Sequence, residues 1–138
     1  MKALPLNKFT AAALIWFAAA IYALLFKEGG NSAPPFPHFD KVGHFGLFFG
    51  QAWLCAKIFI QDNRTIPYKG ILFAALLFAV GSELAQAFLT TTRQGSIADG
   101  IADMAGTAAA LWFAEKVKAA NRFQTAFCYL IFEAMIAS

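Results

Sequence analysis

Long apolar runs separated by short polar breaks are the feature that most constrains how this chain can fold. The runs cover residues 9–26, 42–60, 70–89 and 97–113. At a helical rise of about 1.5 Å per residue, each run approaches the hydrocarbon thickness of a bilayer, about 30 Å. Charged residues lie mostly between the runs, whereas in a soluble helix they alternate with apolar positions at helical spacing. We therefore expect four membrane-spanning helices.

The composition agrees with a membrane protein and argues against soluble classes. Of the 138 residues, 59% are hydrophobic and 14% are charged, which is too little charge to cover the surface of a soluble domain. The net charge of +3 comes from basic residues scattered singly, so nucleic acid is not an expected partner. Cys55 and Cys128 lie in apolar stretches, away from other potential metal ligands, and are predicted to be packed free thiols.

The predicted fold is an all-α, polytopic transmembrane helical bundle of about four spans plus a C-terminal apolar helix. Residues 1–120 form the bundle in this prediction, and residues 121–138 form the tail. The apolar part of the tail, 123–137, is short for a span, so we predict an interfacial or docked helix, with a tilted fifth span as the alternative. The first run is predicted to be a retained anchor, because the apolar core of a cleaved signal usually holds only about 7 to 15 residues.

Small residues spaced four apart indicate where helices are expected to pack. Gly46 and Gly50 share one face of the second run, where a neighbouring backbone is expected to approach closely. In the fourth run the small residues form a longer stripe of the same spacing: Ala98, Ala102, Gly106 and Ala110. The same stripes permit a homo-oligomer.

The distribution of basic residues predicts the orientation of the bundle. With four spans, one side receives eight of the eleven basic residues, which are Lys2, Lys8, Lys57, Arg64, Lys69, Lys116, Lys118 and Arg122. The other side receives Lys27, Lys41 and Arg93. The positive-inside rule then predicts a multi-pass protein of the plasma membrane with its N-terminus in the cytoplasm.

Eight polar residues fall on the predicted outer side, near the ends of the spans: Asp40, Lys41, His44, Glu83, Gln86, Arg93, Asp99 and Asp103. Those three or four positions apart share a helix face, as Lys41 does with His44 and Asp99 does with Asp103. A charge within hydrocarbon costs about 2.5 to 3.5 kcal/mol, so we expect these groups to face one another or to line a wet, ligand-binding cavity. Ion pairs that only hold the helices together are the alternative.

The same residues resemble the VanZ-like family of membrane proteins. The family pattern places Asp-Lys and then His at a span start, Glu with Gln three residues later, and Arg, Asp, Asn and Gly at the opening of the last span. The chain matches this pattern at Asp40-Lys41 with His44, at Glu83 with Gln86, at Arg93 with Asp99, and at Asp103 with Gly106. The resemblance covers about residues 9 to 115, and Asp103 stands where the family usually has Asn. It implies a polytopic membrane protein from a family whose name-giving member is linked with teicoplanin resistance.

Two functional hypotheses follow, and the sequence assigns no cofactor and no metal. The first is a protein that binds a cell-envelope lipid, a peptidoglycan precursor or a glycopeptide antibiotic, with Lys41 and Arg93 holding an anionic head group. The alternative is an intramembrane enzyme in which His44 pairs with Glu83 or Asp99 for acid/base chemistry, or holds a cation with the carboxylates. A structural or assembly protein and a proton-coupled transporter are further alternatives. Neither H-E-x-x-H nor G-x-S-x-G occurs, so no reaction is named.

Overall fold

The computed structural model describes residues 4–26, 37–89 and 96–136, and every regular element within them is a helix. In chain order the elements are α1, Lys8–Ile21, which continues as a π-helix over Tyr22–Phe26; α2, Phe39–Gln61; α3, Tyr68–Leu89; and α4, Ile97–Ile136. The predicted all-α class is confirmed. Each helix begins within three residues of a predicted apolar run.

The start of α1 carries a side-chain cap that also ties it to α2. The carboxamide oxygen of Asn7 accepts a hydrogen bond from the Phe9 N–H at 3.0 Å, as part of a capping box. The amide of Asn7 donates to the Ile58 carbonyl at 2.9 Å, near the end of α2. Further along α1, Trp16 Nε1 donates to the Leu47 carbonyl at 2.9 Å. Later residues of α1 thus contact earlier residues of α2, so the two helices are antiparallel.

Consecutive helices are antiparallel, so α2 and α4 run in the same direction and pack side by side. Tyr68, which begins α3, donates to the Glu115 carboxylate late in α4, whereas Glu83, late in α3, lies beside Asp103, early in α4. Two apolar clusters fill the interior. One contains Ala56, Ile60, Ile66, Leu111 and Ala114, and the other contains Leu24, Phe48 and Ala79.

A close helix approach occurs at Gly106, one member of the predicted stripe of small residues. A Cβ atom at this position would overlap the carbonyl oxygen of Phe45, so the backbones of α4 and α2 are in contact there. Ala110 in the same stripe is fully buried, whereas Ala98 at its start is exposed.

The other predicted contact, at Gly46 and Gly50, takes a different form. Gly50 makes room for the indole ring of Trp16, whereas a Cβ atom added at Gly46 would meet no neighbouring atom within 4 Å. The expectation of a close backbone approach at both glycines was therefore wrong. The reason is that helix packing here is set by a bulky aromatic ring, which needs one small residue beneath it and not two.

The C-terminal segment corrects a second expectation, because 121–136 is no separate helix. It continues α4, whose 40 residues extend roughly 60 Å, about twice the hydrocarbon thickness. Residues 107–136 contain neither proline nor glycine, so the polar stretch 115–122 has nothing to stop the helix. The described side chains from Asn121 to Ile136 are exposed, so within this chain the segment is not docked on the bundle.

Cys128 is accordingly exposed and not packed, while Cys55 is half-buried; both are free thiols.

Within the part of the chain that the structure describes, two helical regions are long and apolar enough to cross a membrane. Lys8–Phe26 and Tyr68–Leu89 have mean hydropathies of 2.1 and 1.8. Neither α2 nor α4 meets the same criterion, since His44, Gln51 and Lys57 interrupt the apolar run of α2 and two aspartates occupy the start of α4. The structure thus supports the membrane class through two helices, and the count of four spans stays a prediction.

Candidate functional site

Six of the eight predicted polar residues lie at one end of the bundle, where α2 and α4 begin and α3 ends. We call them the polar cluster: Asp40, Lys41, His44, Glu83, Asp99 and Asp103. The parallel arrangement of α2 and α4 brings their first turns side by side, and the antiparallel α3 adds its last turns to the same end. Arg93, the seventh, lies outside the described residues.

His44 occupies the centre of the polar cluster. Its side chain is 2% exposed, and its Nδ1 atom lies 3.0 Å from Oδ1 of Asp103, whose residue is fully buried. The same Nδ1 atom is 3.8 Å from Oε1 of Glu83. The partner that sequence reasoning favoured for His44 was Glu83 or Asp99, whereas its closest carboxylate is Asp103. The reason is the register of α4, in which the second aspartate, one turn deeper, is level with His44.

Glu83 is held by Ser96, the residue that immediately precedes α4. Its Oε2 atom accepts a hydrogen bond from the backbone N–H of Ser96, while Oε1 points toward His44. The Ser96 carbonyl in turn accepts the first helical bonds of α4, from the N–H groups of Asp99 and Gly100. Sequence reasoning did not single out Ser96 as a site residue. The signal was present, because Ser followed three positions later by an acidic residue is typical of a helix N-terminus.

Lys41 and Asp99 form the second charged contact of the polar cluster. The ammonium donates to Oδ1 of Asp99 at 2.8 Å, and the lysine side chain remains 35% exposed while that of Asp99 is 5% exposed. Lys41 precedes the apolar run of α2 and reaches inward to neutralise a buried acid. One of its three ammonium N–H groups is therefore already engaged, and an anionic head group at Lys41 would share the ammonium with Asp99.

Gln86 lies one helical turn beyond Glu83 and contacts the first helical region, not the polar cluster. Its side chain is 2% exposed, and its amide donates to the Leu24 carbonyl at 2.9 Å. Leu24 belongs to the π-helix that ends the first helical region. A π-helix alters the normal hydrogen-bond ladder of a helix. Gln86 therefore ties α3 to this irregular segment, which is a packing role consistent with the non-ligand alternative for this residue.

Several buried polar atoms in the polar cluster have no hydrogen-bond partner among the described residues. They are Nε2 of His44, Oε1 of Glu83 and Oδ2 of Asp103, and the only other such atom in the described part of the chain is Oε1 of Gln51. Leaving a buried polar group without a partner costs about 1 to 3 kcal/mol, so a concentration of three in one place calls for an explanation.

An apolar cavity of about 360 Å³ lies next to the polar cluster and not within it. It is bounded by α1, α2 and α3, with residues such as Leu14, Phe17, Ile71 and Phe78 on its wall. Phe48 and Thr107 also line the cavity, and each lies one helical turn from a cluster residue, His44 and Asp103 respectively. Polar cluster and cavity are thus stacked along the bundle axis.

The chemistry available at this end of the bundle is that of a buried imidazole among carboxylates, with one lysine already paired. Such a group can exchange protons, bind a cation or hold the helices together. Comparison of the chain with protein-family models, with curated proteins and with solved structures found no match. The VanZ-like resemblance therefore stays a prediction, and the functional argument depends on the geometry alone.

Proposed function

We propose that this chain is a VanZ-like membrane protein with four spans, in which α2 and α4 cross the bilayer beside the two more apolar helices. The support is that large apolar side chains lie on the outside of the bundle, while several polar side chains are buried inside it. Large apolar side chains are exposed on every helix, among them Ile15, Phe73, Leu77, Ile101 and Trp112. Most buried polar residues face inward from the same helices: His44, Ser82, Gln86, Asp99, Asp103 and Thr107. The polar residues that lower the mean hydropathy of α2 and α4 are thus largely kept from lipid.

The proposal includes an orientation. Eight of the eleven basic residues lie in or near three regions, which are the start of α1, the α2–α3 connection and the middle of α4, so the positive-inside rule assigns that side to the cytoplasm. The polar cluster then lies toward the outer leaflet of the plasma membrane. Lys57 on the cytoplasmic side is near the rings of Phe9 and Trp53, at 5.0 and 5.6 Å from their centroids, as expected for a lysine that snorkels to the interface.

The activity that we propose is binding of an amphiphile, with its polar head at the polar cluster and its apolar part in the cavity beneath. The single observation that carries this proposal is the stacking of the two, one helical turn apart, inside a bundle with an apolar exterior. Ligand sites are typically apolar cavities with a few convergent polar groups. A cell-envelope lipid, a peptidoglycan precursor and a glycopeptide antibiotic all have this two-part chemistry.

The charges of the polar cluster favour a head group that carries an ammonium. Among the described residues the cluster holds four carboxylates against one lysine and one histidine, and the lysine is paired with Asp99. A phosphate would meet acidic groups there, whereas an ammonium can donate to the unpartnered carboxylate oxygens of Glu83 and Asp103. The earlier hypothesis of an anionic head group now depends on Arg93, which is outside the described residues.

The test is ligand-induced thermal stabilisation of the purified protein in non-ionic detergent. The probes are phosphatidylethanolamine, which carries an ammonium; phosphatidylglycerol, which does not; and teicoplanin as the glycopeptide. A ligand at 100 times its Kd stabilises a protein by about 2.7 kcal/mol, so binding of the ammonium-bearing probe should give a clear rise in Tm. We expect Asp103→Asn to weaken this binding at least about tenfold, roughly 1.4 kcal/mol, because it removes a buried charge.

Asp62→Asn is the matched control, since Asp62 lies at the opposite end of the bundle and accepts a hydrogen bond from Asn7. It should leave the probe response unchanged. Equal stabilisation by both phospholipids would contradict the ammonium preference. If phosphatidylglycerol alone binds, and Arg93→Ala abolishes this binding, the hypothesis of an anionic head group is favoured instead.

A second candidate function is acid/base catalysis by His44. The observation that favours it is the pairing of Nδ1 with Asp103, which leaves Nε2 buried and unpartnered, as in a histidine that is oriented by a carboxylate to act as a base. The same incubations distinguish the two functions when each probe is recovered and its mass measured. Chemical change of a probe that is lost in His44→Ala supports catalysis, and intact recovery of a bound probe supports binding alone.

A further inference from the structure

Three side chains from three different helices direct donor atoms to one point at the heart of the polar cluster. They are His44 from α2, Glu83 from α3 and Asp103 from α4, and their donor atoms all lie within 4.8 Å of one another. Nδ1 of His44 is 3.0 Å from Oδ1 of Asp103 and 3.8 Å from Oε1 of Glu83. Two ligands bonded to one metal ion at about 2.0 to 2.2 Å are separated by about 3 to 3.6 Å for angles between octahedral and tetrahedral. The two distances from Nδ1 are close to these values, and the third, between the Glu83 and Asp103 oxygens, is within 4.8 Å.

The charge of this group also calls for a cation. Glu83 and Asp103 together carry two negative charges when ionised, and Lys41, the only lysine of the polar cluster, is paired with Asp99. His44 supplies at most one positive charge. Unpaired charge is costly inside a bundle with an apolar exterior, so a compensating cation is favoured there. A divalent ion balances the two carboxylates while His44 remains neutral and free to coordinate.

The unpartnered atoms provide independent support for a ligand. Among the described residues, Oε1 of Glu83, which faces His44, has no hydrogen-bond partner, and neither has Oδ2 of the fully buried Asp103. Nε2 of His44 is also unpartnered, but it lies across the ring from Nδ1 and does not bear on this ion. A merely structural ion pair in such a setting is expected to satisfy its remaining polar atoms. The backbone N–H of Ser96 holds the other oxygen of Glu83, which is the kind of outer contact that orients a carboxylate ligand.

We propose that His44, Glu83 and Asp103 bind one divalent transition-metal ion, with Zn²⁺ as the fitting probe. One imidazole nitrogen and two carboxylate oxygens are ligands that Zn²⁺ accepts, and a three-residue set leaves a coordination position for water or for a ligand. This inference goes beyond the proposed amphiphile binding, and a bound ion would compete with the ammonium contact because both use the carboxylates of Glu83 and Asp103. It develops the cation alternative that the sequence left open, although the sequence-based site assignment contained no metal.

The test is Zn²⁺ binding by the full-length protein in detergent, measured by equilibrium dialysis and elemental analysis without any lipid or antibiotic probe. We expect one Zn²⁺ per chain in the wild type. His44→Ala, Glu83→Gln and Asp103→Asn should each weaken Zn²⁺ binding at least about tenfold, because each removes one ligand. Glu83 is the least buried of the three, so Glu83→Gln serves as the informative variant if the others fail to fold.

Two controls replace carboxylates elsewhere in the bundle. Asp62→Asn and Glu115→Gln remove the same charge at the opposite end, where the carboxylates accept hydrogen bonds from Asn7 and Tyr68, and both should retain the ion. A wild type that binds Zn²⁺ no more tightly than Glu83→Gln would overturn the proposal. Equal weakening in the control variants would overturn it as well, because it would mean diffuse binding to surface acids. Since no amphiphile is present, either failure leaves the amphiphile proposal to its own test.

Discussion

His44 shows how a single residue acquires its properties from neighbours that are remote in sequence. On its own helix it is one polar residue in an apolar run, between Gly43 and Phe45. In the bundle it is surrounded by carboxylates from α3 and α4 and is almost completely buried. The residue type and its depth in the run were readable from sequence, and the identity of its closest partner, Asp103, was not.

Gly106 offers a test of packing at the scale of one residue. Gly106→Ala would place a methyl group against the Phe45 carbonyl, so we expect a loss of about 1 to 3 kcal/mol in the free energy of unfolding. The measurement is reversible denaturation in mixed micelles. Gly46→Ala is the matched control, because a Cβ there meets nothing within 4 Å, and it should be neutral or stabilising by up to about 1 kcal/mol. Equal effects of the two changes would contradict the backbone contact between α2 and α4.

At the scale of the element, α4 differs most from what its sequence pattern predicted. Its first half carries two cluster residues, Asp99 and Asp103, and then the small residues that contact α2. Its second half continues past the polar stretch 115–122 as an exposed helix rich in aromatic residues, such as Phe123, Phe127 and Phe132. Helix continuity therefore follows local propensity, and the change in burial marks where packing against the bundle ends.

Shortening α4 tests whether the second half contributes to the bundle. A chain that ends at residue 122 retains the contacts of Glu115 with Tyr68 and of Lys118 with the Arg64 carbonyl. Because the side chains beyond that point are exposed, we expect the free energy of unfolding to change by less than roughly 0.5 kcal/mol and Zn²⁺ binding to persist. Denaturation and the dialysis assay provide the measurements. A large loss of stability would show that 123–136 packs on the bundle after all.

Across the described residues, many large apolar side chains are exposed, while several polar groups are buried beside the apolar clusters. Bulky apolar residues cover the exterior, from Leu14 on α1 to Phe88 on α3, while acids and a histidine lie inside. Exposed apolar area of this extent is unfavourable in water and suited to lipid. The arrangement also assigns the two ends different roles, since one holds the polar cluster and the other holds the contacts of Asn7, Tyr68 and Lys118.

The orientation of the bundle can be tested with reporters in living cells. A reporter placed after residue 122 should be active in the cytoplasm, and one inserted within 28–34 should be outside, because eight of eleven basic residues belong to the first side. The measurement is a paired phosphatase and fluorescent-protein fusion at each position. Changing Lys57, Arg64 and Lys69 together to Gln should lower the fraction with this orientation. An external reporter after residue 122 in the unmodified chain would contradict the four-span arrangement.

The sequence by itself determined the helical class, the approximate starts of the four helices and the positions of the polar residues along them. These properties depend on local composition and spacing, which a linear pattern contains. Only the tertiary structure decided that Asp103 is closer to His44 than Asp99 is, that Lys41 pairs with Asp99, and that Gly50 accommodates Trp16. Those outcomes depend on the relative register and rotation of packed helices, which are set by side-chain contacts between segments far apart in the chain.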